Sequence, residues 1–518
     1  MPDVAQITVE PARIDQLTAM IRASGTETRT TVSPLTGREV AVVPVSTTQD
    51  VLDAFAAARV AQAQWAATSL RTRQKALLRL HDLVLAHQDE LLDLTQLESG
   101  KARSHAFDEV LHTALTGRYY GRTLARILGP HRRAGVYPGL TSVKQYQQPK
   151  GVVGLITPWN YPLSMALVDG LAAVAAGNAV VHKPDSQSPL TALAIIDLMR
   201  RAGFPADLWQ VVSGAGSVIG STIIDHADYI CFTGSTATGK KIAAQCAERL
   251  IGCSLELGGK NPMIVLPGAD VAKAVEGAVT AAFSSAGQLC VSIERIYVHD
   301  SIYAEFRDAF ADRVRHLSFG AGPDWEVEMG TLVSPAQLAT VQKHVADALD
   351  NGATLVAGGH ARPDIAPWFH EPTVLEGVTE DAVCFAEETF GPLVSLYSYR
   401  VPGEAVQQAN ATVYGLNASV WGPTRVARRI APQIHAGTVN VNEGFAATFG
   451  SIAAPMGGMK ESGTGRRQGA EGLLRFTESQ SVGVQRLMPV SGPSQLSHRT
   501  FARLITVGLR VLRRTPRA

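Results

Sequence analysis

Cysteine is scarce in this sequence: five residues in 518, at Cys231, Cys246, Cys253, Cys290 and Cys384, with no CxxC pair. An odd, scattered set does not make a disulfide scaffold, and it suits neither a zinc site nor a dithiol site. No metal is expected, and a reduced, cytoplasmic setting is. Excess charge is missing too. Forty-seven Lys and Arg face 46 Asp and Glu, and a net charge of +1 gives nucleic acid no broad attraction. Long apolar runs are absent. The longest, ALVDGLAAVAAGNAVV over 166–181, is broken by Asp169 and Asn178 and is too short and polar to span a bilayer. The first residues, MPDVAQITVEPARID, carry acids and no apolar core, so they are not read as a signal peptide. Neither an internal repeat nor a low-complexity segment appears.

What is present is apolar material, 46% of the chain. Single cores stop growing near roughly 250–300 residues, so two large lobes are expected. Residues 1–32 read as a variable lead-in. Thr47 and Asp50 stand at capping-box spacing before an Ala-rich helix. A second helix is expected from about 72 to Gly100, apolar at Leu77, Leu80, Leu83 and Val84, and a third over 108–128. From 151 to 256 short β-rich runs (GVVGLIT, NAVVHKP, LWQVVSG, DYICFTG) alternate with helical stretches such as SPLTALAIIDLMRRAG, which predicts a parallel α/β sheet. Residues 263–460 repeat that style with new strands.

Four segments carry residue types suited to chemistry. In FSSAGQLCVSIER, Cys290 follows a Gly-Gln pair. A thiolate attacks an aldehyde carbon when its pKa is lowered and its path is clear, although a free cysteine is more often buried core. Glu256, in LELGGKNP, sits among apolar residues and glycines. Such surroundings raise a carboxyl pKa and suit it to activating water; a surface carboxylate at a strand end is the plainer alternative. In ITPWNYP, Pro158 and Pro162 bracket Trp159 and Asn160. A rigidly held amide can donate to an oxyanion, though Asn and Pro are also ordinary turn residues. DYICFTGSTATGKKIAAQ runs from an apolar stretch through Gly234 and Ser235 into a helix, whose first N–H groups can hold a phosphate. Its glycine spacing matches neither GxGxxG nor a Walker loop.

Taken with EETFGP (387–392), KPDS (183–186) and GGMKESGTGR (457–466), these segments resemble the aldehyde dehydrogenase superfamily over roughly residues 30–485. The resemblance implies an aldehyde dehydrogenase-like α/β fold. A Rossmann-like cofactor domain would be built from 1–130 and 148–256, a catalytic α/β domain from 257–460, and a β oligomerisation arm from 131–147 and 474–485. It implies oxidation of an aldehyde to its acid. Cys290 would form a thiohemiacetal and then a thioester, Asn160 and the Cys290 N–H would hold the oxyanion, and Glu256 would activate the hydrolytic water. Lys183 and Glu388 would hold the riboses of the dinucleotide. Trp159, Gly234 and Ser235 would lie near its pyrophosphate, Phe390 beside the nicotinamide ribose, and Leu257 near the nicotinamide. NAD-preferring members often carry a glutamate three residues after the lysine. Ser186 stands there instead, which leaves room for a 2′-phosphate, so NADP is the expected cofactor with NAD as the alternative. Asp185 complicates this if its carboxylate turns inward. A homodimer or homotetramer is implied.

VNEG (441–444) resembles the NADP-using succinate-semialdehyde dehydrogenase type, making succinate semialdehyde the expected substrate. Two arginines that grip the substrate carboxylate in that type are replaced by Ser284 and Val168, with Arg122, Arg126, Arg295 or Ser451 as possible substitutes. An aromatic or aliphatic aldehyde is therefore the rival, with Tyr119, Tyr120, Phe445 and Phe449 available to line its tunnel. The tail, 486–518, holds seven arginines and no acid. Arg499, Arg503, Arg510 and Arg514 would share one helix face, opposite Phe501, Leu504, Ile505 and Leu512. Peripheral membrane contact is one reading of that tail, and a solvated extension or packing helix the other. A catalytically silent scaffold using the tail is the rival of a different class; the joint presence of Cys290, Glu256, Asn160 and Lys183 speaks against it.

Overall fold

The computed structural model describes residues 7–137, 140–487 and 489–513. Its first sheet grows outward from Val152–Ile156. The chain passes through Ala179–Lys183 to Trp209–Val211, then crosses to the opposite flank for Tyr229–Thr233 and Gly252–Glu256, all parallel. Val152–Ile156 and Ala179–Lys183 are buried at every residue, which is why they read as unbroken apolar runs rather than as alternation. The direction of growth reverses between Val152–Ile156 and Tyr229–Thr233. Ligands favour such a switch point in open α/β sheets, and the turns leaving these two strands carry Trp159, Asn160, Gly234 and Ser235.

Local signals explain most of the helices. Thr47 accepts from the Asp50 N–H, and Asp50 accepts from the Thr47 N–H at 2.7 Å, closing the capping box ahead of Thr48–Ala66. Helix Pro189–Ala202 ends where Gly203 takes φ +104. The single helix expected from 72 to 100 is two, Leu70–Ala86 and Gln88–Ser99, because His87 leaves helical geometry at φ −113, ψ 23. The described part of the lead-in is also ordered. Helix Pro11–Thr18 is fixed by Arg13 to Glu90 and Asp197, at 2.7 and 3.0 Å, and Thr28–Val32 pairs antiparallel with Glu39–Pro44.

The second sheet is centred on Asn261–Val265. On one side lie Ile293–His299, Leu393–Tyr399, Thr373–Glu376 and an antiparallel edge, Thr354–Ala357. On the other lie Asn417–Trp421 and Thr438–Val441. Its core is separate from that of the first sheet, in line with two lobes. After residue 460 the chain returns: Gly463–Thr464 pairs antiparallel with Gly252–Glu256 and extends the first sheet, a membership that strand patterning did not reveal. A third sheet joins Thr477–Gln485, Thr141–Pro149 and His131–Arg133, all antiparallel.

The tail forms helix His498–Leu512, capped by Ser497, whose hydroxyl accepts from the Thr500 N–H. None of its residues is buried, and Leu504 and Leu509 are 57% and 61% exposed. Arg514 lies outside the described residues. Among the described residues no helix is long and apolar enough to cross a membrane.

Candidate active site

Cys290 follows an unusual turn. After helix Val271–Phe283, Ser285 and Ala286 both take left-handed geometry, at φ 53 and 56. Side-chain-bearing residues rarely sit there, and such strain collects at functional sites. Gly287 completes the turn at φ +69, where a Cβ would fall 2.1 Å from the Gly391 carbonyl oxygen. Gln288 fastens the loop from within, accepting from the Val333 N–H at 2.9 Å and donating to the Ser285 carbonyl at 3.1 Å. Cys290 is thereby brought, partly exposed, to a cavity of about 270 Å³ that Asn160, Glu256 and Arg467 also line. Its apolar surroundings push the thiol up to about 12, opposed first by Arg467. The lowered thiol pKa expected from the chemistry is therefore not found here: burial outweighs Arg467 and favours the neutral thiol.

Asn160 donates from Nδ2 to the Gln288 carbonyl at 2.9 Å, and its own carbonyl accepts from Lys101 Nζ at 2.7 Å. Lys101 in turn pairs with Glu109 at 2.5 Å, both fully buried. The second Glu109 oxygen accepts the N–H groups of Leu163 and Ser164, at 2.9 Å each, capping helix Pro162–Ala175. A buried ion pair thus fixes the turn that presents Asn160 from behind.

Glu256 ends its strand at the cavity wall, 4% exposed. Burial raises its carboxyl to about 7, with Arg467 the largest opposing influence. A carboxyl poised there is a base near neutral pH. The apolar, glycine-flanked setting seen in the sequence is the cause.

Of the expected cofactor residues, Trp159, Gly234, Ser235, Leu257, Glu388 and Phe390 line the same cavity. Trp159 and Phe390 meet edge to face, centroids 5.6 Å apart. Glu388 accepts from the Gly259 N–H at 2.8 Å and is raised to about 8 by burial. The turn carrying it is held by Glu294, which accepts the Thr389 and Phe390 N–H groups and pairs with Lys260. The Gly234 N–H donates to the Glu256 carbonyl at 3.0 Å, bracing the neighbouring strand and leaving phosphate donors to the helix that follows. Ser235 caps helix Thr236–Glu248, the element whose first amides face the switch point. Lys183 and Ser186 do not line the cavity with Cys290. They lie at and beyond the end of Ala179–Lys183, where Lys183 stands in register with Ile156; Lys183 donates to the Pro184 carbonyl at 3.0 Å and Ser186 to that of Gly214 at 3.4 Å. Asp185 turns its carboxylate onto the Gln187 N–H at 2.9 Å. A dinucleotide fits this set. The Glu388 carboxylate keeps lone pairs for hydroxyls, and Lys183 keeps donors at the other end.

The sequence comparisons agree with this geometry. The profile of the aldehyde dehydrogenase family matches residues 21–482. The chain belongs to that family. A relative from Mycolicibacterium smegmatis, named "Putative succinate-semialdehyde dehydrogenase, NADP(+)", is 48% identical over 98% of this chain and 98% of its own. The mitochondrial succinate-semialdehyde dehydrogenase of Oryza sativa is 37% identical over 86% of this chain and 84% of its own. Among solved structures, an Escherichia coli NADP-dependent enzyme superposes with TM-score 0.86 at 34% identity, covering 90% of this chain and 96% of that one. Betaine aldehyde dehydrogenase of Staphylococcus aureus, in complex with NAD+, superposes with TM-score 0.86 at 32% identity, covering 92% and 95%.

In this aldehyde dehydrogenase one part of the cavity wall is apolar. Tyr161, Met165, Leu289, Phe449 and Met456 line it. None of the proposed substitutes for the missing arginines reaches it. Arg122, Arg126 and Ser451 lie outside. Arg295 spends its guanidinium on the Lys260 and Gln408 carbonyls and the Tyr297 hydroxyl. Ser284 bonds back to the Thr280 carbonyl and Val168 is buried in its helix. Of the aromatics offered for an apolar tunnel, Phe449 lines the cavity and Phe445 packs in the same cluster, whereas Tyr120 is core of the first lobe. Sequence reasoning missed Arg467, Lys101, Glu109, Gln288 and Glu294. One signal was visible: Asp169, a charge inside an apolar run, needs a buried partner, and Arg467 supplies it at 3.0 Å.

Proposed function

We propose that this protein oxidises succinate semialdehyde to succinate with NADP, through a covalent Cys290 intermediate. The observation that carries the reading is the convergence of Cys290, Asn160 and Glu256 on one cavity at the switch point of the first sheet. The substrate and cofactor follow the names of the relatives, with Ser186 in place of a repelling glutamate as independent support for NADP.

In this reading Cys290 Sγ attacks the aldehyde carbon as a thiolate. Asn160 Nδ2 and the Cys290 N–H donate to the developing oxyanion of the thiohemiacetal. Glu388, Phe390 and Leu257 would hold the nicotinamide end of the dinucleotide, and Lys183 and Ser186 its adenosine end; when bound, that group would accept the hydride lost from the thiohemiacetal carbon, which becomes the carbonyl of a Cys290 thioester. Glu256 then takes a proton from water, the hydroxide attacks the thioester carbon, and the acid departs as Cys290 regains its proton. Steady-state turnover of succinate semialdehyde with each nicotinamide tests this. NADP should exceed NAD in kcat/KM, and Cys290→Ala should form no NADPH.

One observation favours a second substrate. The cavity's aldehyde end carries Tyr161, Phe449 and Met456 and none of the arginines expected for a carboxylate. A higher kcat/KM for benzaldehyde than for succinate semialdehyde would select the aromatic reading.

The antiparallel sheet of Thr141–Pro149 and Thr477–Gln485, with Val482 and Val484 exposed, is proposed as the arm joining subunits into a dimer or tetramer. Light scattering on the full chain and on Val482→Lys/Val484→Lys tests it. A cytoplasmic location accords with the five free cysteines. For the tail helix, the face away from Arg499, Arg503 and Arg510 carries an exposed Leu504 and half-buried Phe501, Ile505 and Leu512. An anionic lipid surface complements that pairing of apolar and basic faces. Sedimentation with phosphatidylserine vesicles, lost on removing 486–518, would support it.

A further inference from the structure

Behind the cavity, four ionisable side chains stand in a buried row. Arg475 and Arg467 both donate to the carboxylate of Asp169, and Arg467 turns its Nε towards Glu256 Oε1 at 3.7 Å. None of the four side chains is more than 8% exposed. Their charges alternate. The row is neutral when both acids are ionised and gains a positive charge when Glu256 is protonated. Arg467 has little freedom: Nη2 is held by Asp169 and by the Thr233 hydroxyl at 3.0 Å, and Nη1 lies 3.0 Å from Met165 Sδ. Its backbone is fixed by a reciprocal pair of hydrogen bonds with Met456. Yet among the described residues Arg467 Nε and Glu256 Oε1 each lack a hydrogen-bond partner. A buried donor and a buried acceptor left open towards each other are costly unless function retains them.

We propose that Arg467 is a positioning residue that acts as counter-ion for both catalytic anions, the Glu256 carboxylate and, across the cavity they share, the Cys290 thiolate, with Asp169 setting how much of its charge reaches them. This rests on the assignment of Cys290 as nucleophile and Glu256 as base. Burial alone drives both groups towards their neutral forms, and Arg467 is the foremost influence in the opposite direction on each. The other charges facing Glu256 are Asp169 from helix Pro162–Ala175, Arg475 beyond helix Gly469–Leu474, Arg466 from the returning loop, and Cys290 across the cleft. Glu388 additionally faces Cys290. Arg466 donates to the Gly458 and Gly465 carbonyls, so a second cation is already committed elsewhere.

The signs are opposite for the two middle members of the row. Removing the Arg467 charge makes both acids harder to ionise. Neutralising Asp169 leaves Arg467 and Arg475 uncompensated and makes both easier to ionise. A simple clamp between the two elements has no such antisymmetry.

The experiment uses the full-length protein with Arg467→Gln, Arg467→Lys and Asp169→Asn. The first readout is the rate of alkylation of Cys290 by iodoacetamide at a fixed pH of about 8, followed on the Cys290 peptide by mass spectrometry without substrate or cofactor. The second is the acidic limb of kcat against pH. Arg467→Gln should slow alkylation about tenfold or more and move the kcat midpoint up by about one pH unit, the tenfold loss of ionised form that one unit represents. Asp169→Asn should speed alkylation and move the midpoint down, and Arg467→Lys should stay near wild type. Readouts that do not change in the folded Gln variant, that change alike in the Gln and Asn variants, or that change as far for Lys as for Gln overturn the proposal. If Cys290→Ala itself retains turnover, the underlying assignment of the nucleophile has failed instead.

Discussion

The side-chain amide of Asn160 donates to the carbonyl of Gln288 at 2.9 Å, joining the turn after the first strand of one sheet to the loop that delivers Cys290. This bond uses one Nδ2 hydrogen, and in the proposed reaction the other serves the oxyanion. Replacing Asn160 with Ala should lower kcat by about 10²–10³, as loss of one oxyanion donor does elsewhere, with little change in KM. Steady-state kinetics checks it, and an unchanged kcat would remove Asn160 from the oxyanion site.

Ser186 is the expected basis of the NADP preference. Ser186→Glu places a carboxylate beside the 2′-phosphate position, and kcat/KM for NADP should fall on the order of tenfold or more while that for NAD holds or improves. An unaltered NADP/NAD ratio would mean that the discrimination lies elsewhere, for example with Arg29, which faces Lys183.

The pH dependence follows from Glu256. Its carboxyl is raised to about 7, and the base works only when deprotonated. Activity should therefore be low below that value and rise with pH through it, and the limb should vanish in Glu256→Gln. A kcat flat from pH 5.5 to 8.5 would contradict the assignment.

The Lys101–Glu109 pair carries a stability prediction. Breaking a fully buried pair leaves an uncompensated charge, so Lys101→Met should cost roughly 3–5 kcal/mol. Lys101→Met/Glu109→Gln should recover part of that loss. Urea unfolding of the three proteins measures it. A double variant less stable than Lys101→Met would show that the pair acts chiefly through the cap on Leu163 and Ser164.

The sequence made the strands of the first sheet legible because parallel strands buried on both faces read as continuous apolar runs bounded by glycine and proline. The Thr47–Asp50 box and the Gly100 stop were equally plain, since each acts within four residues. Cys290, Glu256 and Asn160 stood out through their short flanking motifs. What stayed hidden depends on distant pairing. Arg467 meets Asp169 across 298 residues, and Lys101 reaches Asn160 across 59. The break at His87 was invisible because the apolar spacing runs on through it. The bond from the Gly234 N–H to the Glu256 carbonyl was hidden too, since that partner exists only once the neighbouring strand is in place.

The central claim is that Cys290 carries the acyl group and Glu256 releases it by activating water. Stopped-flow mixing of the Glu256→Gln variant with NADP and succinate semialdehyde measures both steps at once. The account predicts a burst of about one NADPH per Cys290, followed by turnover roughly 10²-fold or more below wild type. A Glu256→Gln protein that turns over at the wild-type rate, or a burst that survives Cys290→Ala, would contradict it.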